Sequence, residues 1–93
     1  MKKELVTSLI INAINTYFER RVIPLRLREV DNIEELRGVL RSLLEMNCKI
    51  ALSTRDVRDI RERTRITLQL LDSYERGIAP MDYLKKRIST LWR

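Results

Sequence analysis

Apolar residues recur at intervals of three and four along four stretches of the chain, the spacing that places side chains on one face of an α-helix. The first stretch predicts a helix from Lys3 to Val22, which ends before Pro24 because proline cannot continue a helix. The next residues, LRLREV, alternate apolar and polar and predict a short extended connector or edge strand. The apolar face of the first helix comprises Leu5, Val6, Leu9, Ile10, Ala13, Ile14, Tyr17 and Phe18.

The second stretch predicts a helix that opens at Asp31. An aspartate there can accept hydrogen bonds from the free N–H groups of the first turn, and Glu34 three residues later completes a capping-box pattern. We expect this helix to end near Asn47, with CKIAL (48–52) as the connection to the next helix. Its predicted buried face comprises Ile33, Leu36, Leu40, Leu43 and Leu44.

The third stretch starts with Ser53 and Asp56, which repeat the capping-box spacing and predict a helix from Thr54. As one helix, residues 54–76 carry a seam of side chains at alternating steps of three and four. Two ion pairs, each between residues one turn apart, would support this helix: Asp59–Arg63 and Asp72–Arg76. The seam comprises Val57, Ile60, Thr64, Thr67, Leu71 and Tyr74.

The last helix is expected from Pro80 to Trp92. Gly77 suits the residue after a helix C-terminus, because glycine adopts the left-handed backbone conformation without strain, and proline suits a first helical turn. The fold predicted is therefore all-α, a compact bundle of about four helices that forms one domain over residues 1–93. The last helix would bury Leu84, Ile88, Leu91 and Trp92.

A break near Arg65 is the alternative for the third stretch, because the β-branched residues around it are weak helix formers. VRDIRERTRITLQLLDSYERG resembles the helix-turn-helix core of small DNA-binding regulators, V-x-x-I-A-x-x-x-G-V-S-x-x-T-L. RTRITLQLLDSYERG is similar to the R-T-G-V-S-x-R-T-L-R-Y-Y-E-R run of MerR-type regulators. VLRSLLEMNCKIALSTRDV resembles the helix that precedes this motif in winged-helix proteins. The resemblance covers residues 33–77.

The resemblance implies that Ile66 is the hydrophobic residue of a turn and that Thr67 caps a second helix. That helix would enter the major groove of DNA, with Gln69 pairing to a base edge. Two positions depart from the family pattern. Arg65 stands where the family has glycine, and Arg61 stands where a small alanine lets the two helices approach.

The chain carries a formal net charge of +6, which favours a polyanionic partner such as nucleic acid. The basic excess lies at the two ends, most densely in RRVIPLRLR and KKRISTLWR. The sequence holds no histidine, one cysteine, no Gly-rich phosphate loop and no nucleophile-elbow motif. We therefore expect a protein that is not an enzyme and that has no cofactor or metal.

Basic residues define the candidate contacts to nucleic acid, for which double-stranded DNA is the expected form. Arginines recur every three or four residues at the start of the third helix, and the two basic clusters add phosphate contacts. The alternative is a solvated face in which these arginines pair with neighbouring carboxylates. The predicted nucleic-acid-binding residues are Arg20, Arg21, Arg26, Arg28, Arg55, Arg58, Arg61, Arg65, Gln69, Lys85, Lys86 and Arg87.

A larger protein partner is the competing hypothesis, in which the chain is a non-catalytic interaction subunit or dimerising adaptor. KKRISTLW resembles a degenerate sliding-clamp-binding peptide, which would present Ile88, Leu91 and Trp92 to a partner; the alternative is that these residues pack on the core. We expect a homodimer, because a chain of 93 residues gains buried apolar area from a shared interface.

The cellular setting is also suggested by composition. No apolar run is long enough to span a bilayer and no signal-peptide pattern is present, so we expect no membrane association. Cys48 has no partner within the chain, which indicates a reducing cytoplasmic location and leaves an intermolecular bridge open. Many charges of both signs with few amide side chains indicate a heat-loving source.

Overall fold

The computed structural model describes residues 5–46 and 52–93. Within them lie four helices and no strand: α1 (Leu5–Arg20), α2 (Ile33–Leu44), α3 (Thr54–Glu75) and α4 (Met81–Leu91). This confirms the all-α bundle predicted from the apolar periodicity. The expected helix ends at Lys3 and Asn47, Cys48 and most of the CKIAL connection lie outside the described residues.

The four helices form a ring in which each packs against two neighbours. α2 and α4 both contact α1 and both contact α3, so α2 and α4 lie on opposite corners of the ring. α3 runs antiparallel to α2, because Arg37 early in α2 reaches Asp72 late in α3, while Arg61 early in α3 reaches the carbonyl of Met46 just after α2. α1 and α4 run parallel, as their C-terminal ends meet where the rings of Tyr17 and Trp92 lie 5.2 Å apart.

The connector between α1 and α2 runs back along α1, so that α2 begins near the N-terminal end of α1. The side chain of Asn15 holds it at Leu27, whose N–H donates to Asn15 Oδ1 at 2.7 Å and whose carbonyl accepts from Nδ2 at 3.1 Å. Ile23, Leu27 and Val30 are buried. The extended connector is therefore confirmed, whereas the alternative edge strand is wrong, because side chains of α1 take the place of a partner strand.

The core contains the apolar faces of all four helices. Its largest side chains with no exposed surface include Tyr17, Phe18, Leu36, Leu40, Ile60, Leu71, Leu84 and Ile88. Leu5 was expected in this core, but it lies at the open end of α1 and is 79% exposed. Periodicity alone also missed the buried polar residues Thr7 and Asn15, whose side chains bond to the connector backbone.

The helix starts follow the expected chemistry, with one shift in position. Ser53 caps α3, as predicted, by accepting from the N–H of Asp56 at 3.1 Å. The cap of α2 is Asn32 rather than Asp31, and its Oδ1 accepts from the N–H of Glu35 at 2.9 Å. The carboxylate of Glu35 accepts in turn from the N–H of Asp31. The pattern predicted the right kind of cap one residue too early.

α3 is one continuous helix, which confirms the single helix expected over residues 54–76 and shows that the alternative, a turn near Arg65, is wrong. Thr64 and Thr67 donate their hydroxyl hydrogens to the carbonyls of Ile60 and Arg63, at 2.7 and 2.8 Å, within the same helix. These bonds satisfy two buried hydroxyls without interrupting the helix. Arg65 has no positive φ angle, in keeping with its place inside α3.

Two helix C-termini end in the same hydrogen-bonding pattern, the Schellman motif. After α3, Gly77 has φ +75°, its N–H donates to the carbonyl of Tyr74, and the N–H of Ile78 donates to Ser73. After α1, Val22 takes the equivalent place with φ +55°, where its N–H and that of the next residue make the same two bonds. Gly77 was predicted as a helix stop, whereas Val22 was predicted as helix.

Candidate nucleic-acid interface

The connector arginines lie beside acidic residues. Arg26 Nη1 is 3.2 Å from Glu19 Oε1, and Arg28 Nη1 is 3.8 Å from Glu35 Oε2. Both arginine side chains are largely exposed. These pairs reduce the net charge of the cluster that is densest in the sequence, so the connector is a weaker anion site than its arginine content indicates.

The arginines at the end of α1 differ in their surroundings. Arg20 is exposed, whereas the guanidinium of Arg21 lies 4.0 Å from the centre of the Tyr17 ring and donates to the carbonyl of Arg93 at 3.0 Å. Arg63 lies 5.2 Å from the same ring and donates to the carbonyl of Leu91 at 2.9 Å. Two guanidinium groups thus meet the carbonyls at the end of α4, where the helix dipole favours positive charge.

The arginines of α3 divide into three kinds. Arg55 pairs with Asp59 at 4.0 Å, which replaces the predicted Asp59–Arg63 pair, whereas the predicted pair of Asp72 with Arg76 is confirmed at 3.2 Å. Arg61 is half-buried and donates to the carbonyl of Met46 at 2.7 Å. Arg58 and Arg65 are exposed, and the described residues place no carboxylate within 4.0 Å of either one.

These side chains line two hollows, one where α2 packs on α3 and one along the first half of α3. Arg65 borders both of them. The first, of about 300 Å³, lies between Arg41 of α2 and Gln69 of α3, and the second, of about 410 Å³, lies toward the start of α3 with Glu62 as its acidic member. We call Arg41, Arg58, Arg61 and Arg65 the arginine face.

Two arginines that border the first hollow were missed in the sequence. Arg37 and Arg41 stand one turn apart on α2, but the segment that contains them has a net negative charge, which concealed them. Arg37 is held between Asp72, at 3.7 Å, and Glu75 of α3. Arg41 is exposed and has no carboxylate within 4.0 Å in the described ranges. Only the antiparallel packing of α2 on α3 brings Arg41 beside Arg65.

The basic residues of α4 form a separate surface. Lys85, Lys86 and Arg87 are exposed, with no ion-pair partner among the residues described. Ile88 and Trp92 are buried in the core, so the clamp-peptide interpretation is wrong for the folded chain. Leu91 is half-buried.

The described residues contain neither a metal-binding cluster nor a membrane-spanning helix. Within 5–46 and 52–93, no three Cys, Asp or Glu side chains come together as a metal site. No helix in the described part of the chain is long and apolar enough to cross a membrane.

Comparison with known proteins adds no relative: no family model matches the chain, and neither the curated proteins nor the solved structures contain a match.

Proposed function

We propose that the chain is a small basic helical DNA-binding accessory protein that contacts phosphates through its arginine face. The observation that supports this most is the gathering of Arg41, Arg58 and Arg65 from two helices onto one exposed surface without carboxylate partners in the described residues. Free arginines attract phosphates and make bidentate hydrogen bonds to them. Paired arginines, such as Arg26, must first give up a carboxylate.

The composition of the arginine face favours duplex over single-stranded DNA. Among the described residues no aromatic side chain borders either hollow, and single-strand binding depends on aromatic rings that stack with bases. Arg58 and Arg65 are seven residues apart, about 10 Å along a helix at 1.5 Å per residue. That distance exceeds the axial rise of about 3.4 Å per phosphate of one strand, so the two side chains can contact different phosphates.

The proposed binding is independent of base sequence. The continuous α3 presents its length to the duplex rather than a short recognition helix, since its buried residues are fixed by α2 and α4. Such a protein would serve as a replication, repair or DNA-packaging factor rather than as a sequence-reading regulator. Arginine contacts to phosphate give affinity and position without reading sequence.

The test is fluorescence anisotropy with a labelled duplex at several salt concentrations. We expect submillimolar binding that weakens as salt rises, with a slope of log K against log salt of about −0.9 for each phosphate contacted. The combined change Arg41→Ala, Arg58→Ala and Arg65→Ala should reduce that slope by about 2.7. The matched control replaces Arg26, Arg28 and Arg55, which removes equal charge from paired positions. Equal losses in both variants would contradict the assignment to the arginine face.

An interaction subunit that forms homodimers is the second candidate, and an apolar hollow supports it. The hollow, about 700 Å³, opens between the start of α1 and the α3–α4 turn, and its walls include Leu5, Ile33, Tyr74 and Met81. Leu5 is 79% exposed, and Ile78, which lies in the chain between the lining residues Gly77 and Ala79, is 71% exposed. Sedimentation equilibrium tests this candidate: a dimer that dissociates in the Leu5→Ser, Ile78→Ser variant would support it, and a monomeric wild-type protein would remove it.

A further inference from the structure

Tyr83 of α4 differs from the other aromatic residues of the chain in its surroundings. Tyr17, Phe18 and Trp92 are buried and Tyr74 is half-buried, whereas Tyr83 is 47% exposed. The ring of Tyr17 has two guanidinium groups over it, but within the described residues no cation and no second aromatic ring lies against the ring of Tyr83. The Tyr83 ring is therefore accessible to a ligand.

Two cations lie on the same side of α4 as Tyr83. Lys86 and Arg87 follow it by three and four residues, which places both side chains within about 60° of it around the helix axis. Both are exposed, and neither has an ion-pair partner in the part of the chain that the structure describes. Lys85 is turned by about 160° from both Tyr83 and Arg87, so it projects from the other side of the helix. We call Tyr83, Lys86 and Arg87 the tyrosine face.

We propose that the tyrosine face binds single-stranded nucleic acid, with Tyr83 stacked on an unpaired base and with Lys86 and Arg87 in contact with phosphates. An exposed aromatic ring beside basic side chains is typical of such sites. The two cations lie about 4.5 and 6 Å from Tyr83 along the helix axis at 1.5 Å per residue. That distance spans about one to two nucleotides of a stacked strand at 3.4 Å each. A base and its neighbouring phosphates can therefore be contacted together.

The neighbours of Tyr83 favour a single strand over a protein or a duplex as the occupant. Tyr83 is the one exposed large apolar side chain of α4, so the tyrosine face lacks the apolar centre of a protein–protein interface. A duplex leaves no base face free for the ring, because its bases stack on one another. Asp82, one turn before Lys86, lies at the edge of the face and is turned by about 100° from Tyr83.

This site is separate from the arginine face and does not depend on it. The described residues that line the two hollows of the arginine face include no aromatic side chain, whereas the tyrosine face is built around one. Binding of a duplex by the first face and of a single strand by the second can therefore be measured independently.

The test is fluorescence anisotropy with a short labelled oligothymidylate. Tyr83→Ala should weaken binding about 5- to 150-fold, the range expected for the loss of one base–aromatic stack. Tyr83→Phe keeps the ring and should bind as the wild-type protein does. Lys86→Ala should reduce the slope of log K against log salt by about 0.7, the value for one phosphate of a single strand. Lys85→Ala is the matched control, because it removes the same charge from the other side of α4 and should leave the slope unchanged.

Two further measurements accompany these titrations. Oligouridylate replaces oligothymidylate to distinguish an RNA strand from a DNA strand; binding of either one supports the inference, and the tighter of the two identifies the sugar. The substituted side chains are all exposed, so the circular dichroism spectra of the variants should match that of the wild-type protein.

The outcomes separate the tyrosine face from the arginine face. No binding of either oligonucleotide by the wild-type protein at low salt would overturn the inference, and so would equal affinities of the wild-type protein and Tyr83→Ala. Equal competition by polyglutamate would also overturn it, because the face would then select negative charge without a base. The combined change Arg41→Ala, Arg58→Ala and Arg65→Ala should lose the duplex but keep the single strand. A failure of the proposed function would thus appear in the duplex titration alone.

Discussion

The indole N–H of Trp92 donates a hydrogen bond to the hydroxyl oxygen of Thr67 across a separation of 25 residues, at 2.8 Å. Trp92 is 2% exposed, and its ring meets that of Tyr17 edge-on. One side chain therefore joins the end of α4 to the middle of α3 and to the end of α1. Thr67 receives this bond while it donates its own hydrogen to the carbonyl of Arg63. A polar pair within the core thus fixes how three helices meet.

Substitutions of Thr67 and Trp92 should destabilise the fold, and their effects on the free energy of unfolding should not be additive. Thr67→Val leaves the indole N–H buried without an acceptor, which should lower the free energy of unfolding by about 1–3 kcal/mol. Trp92→Phe should cost a similar amount or more. The double variant should lose less than the sum, with a coupling of about 1 kcal/mol in a urea-denaturation cycle followed by circular dichroism. Thr64→Val is the control, because its hydroxyl bonds only within α3; an equal loss there would contradict the pair's role.

Asn15 should be among the most sensitive polar positions. Asn15→Leu removes both hydrogen bonds to the backbone of Leu27 and leaves the N–H and carbonyl of Leu27 unpaired, a loss of about 2–6 kcal/mol at about 1–3 kcal/mol per buried group. Asn12→Leu, one turn earlier at an exposed position, should stay within about 0.5 kcal/mol of wild type. Urea midpoints compare the two. Similar midpoints would mean that the connector does not depend on the Asn15 side chain.

Substitutions at the left-handed residues of the two Schellman motifs should change the free energy of unfolding in opposite directions. Val22→Gly relieves a left-handed valine and should raise the free energy of unfolding by about 1 kcal/mol. The melting temperature should then rise by about 4–8 °C. Gly77→Val introduces the same strain after α3 and should lower the free energy by about 1–2 kcal/mol. Thermal denaturation measures both. A destabilised Val22→Gly variant would show that the valine side chain, although 88% exposed, makes a contact that outweighs its strain.

Arg65 should have the largest single effect on DNA binding, because it borders both hollows of the arginine face. Arg65→Gln should lower the salt slope of duplex binding by about 0.9, the value for one phosphate contact. Arg55→Gln is the matched control on the same helix, where the guanidinium is paired with Asp59. Anisotropy titrations at four salt concentrations give both slopes. An unchanged slope for Arg65→Gln would remove this residue from the interface.

Gln69 tests whether binding reads base sequence. If contacts are to phosphates alone, Gln69→Ala should change affinity for every duplex by the same small factor. A glutamine paired to an adenine contributes about 1–3 kcal/mol of discrimination at that position. Competition between duplexes of different sequence, before and after the substitution, measures it. Loss of a wild-type preference of that size would restore the base-reading role that the helix-turn-helix resemblance implies for Gln69.

Local chemistry made much of this fold predictable. The Ser53 cap, the Gly77 stop and the seam from Val57 to Leu71 depend on short-range patterns, and the structure confirms each. The seam also indicated that the helix continues past Arg65, because Thr64 and Thr67 fit its spacing. Their weak helix propensity was outweighed by burial and by bonds to backbone carbonyls.

The candidate interface was harder to predict, because charge counts along the chain do not show which charges are paired or which helices are neighbours. Arg26 and Arg28 form the densest cluster in sequence but lie beside Glu19 and Glu35. Arg41 comes from a segment of net negative charge and becomes a neighbour of Arg65 only through packing. In both cases, contacts between elements that are distant in the sequence determine whether an arginine is available to a ligand.

The parallel arrangement of α1 and α4 has a consequence for synthesis on the ribosome. α1 is made first, yet the aromatic contact that closes its C-terminal end comes from Trp92, 75 residues after Tyr17. Until that part of α4 has left the exit tunnel, the aromatic face of α1 lacks its partner. The α3–α4 hairpin forms from neighbours in the chain, but the ring cannot close during translation of the earlier segments. The ring is therefore completed only after residue 92 has emerged, and until then the nascent chain is most exposed to chaperones and proteases.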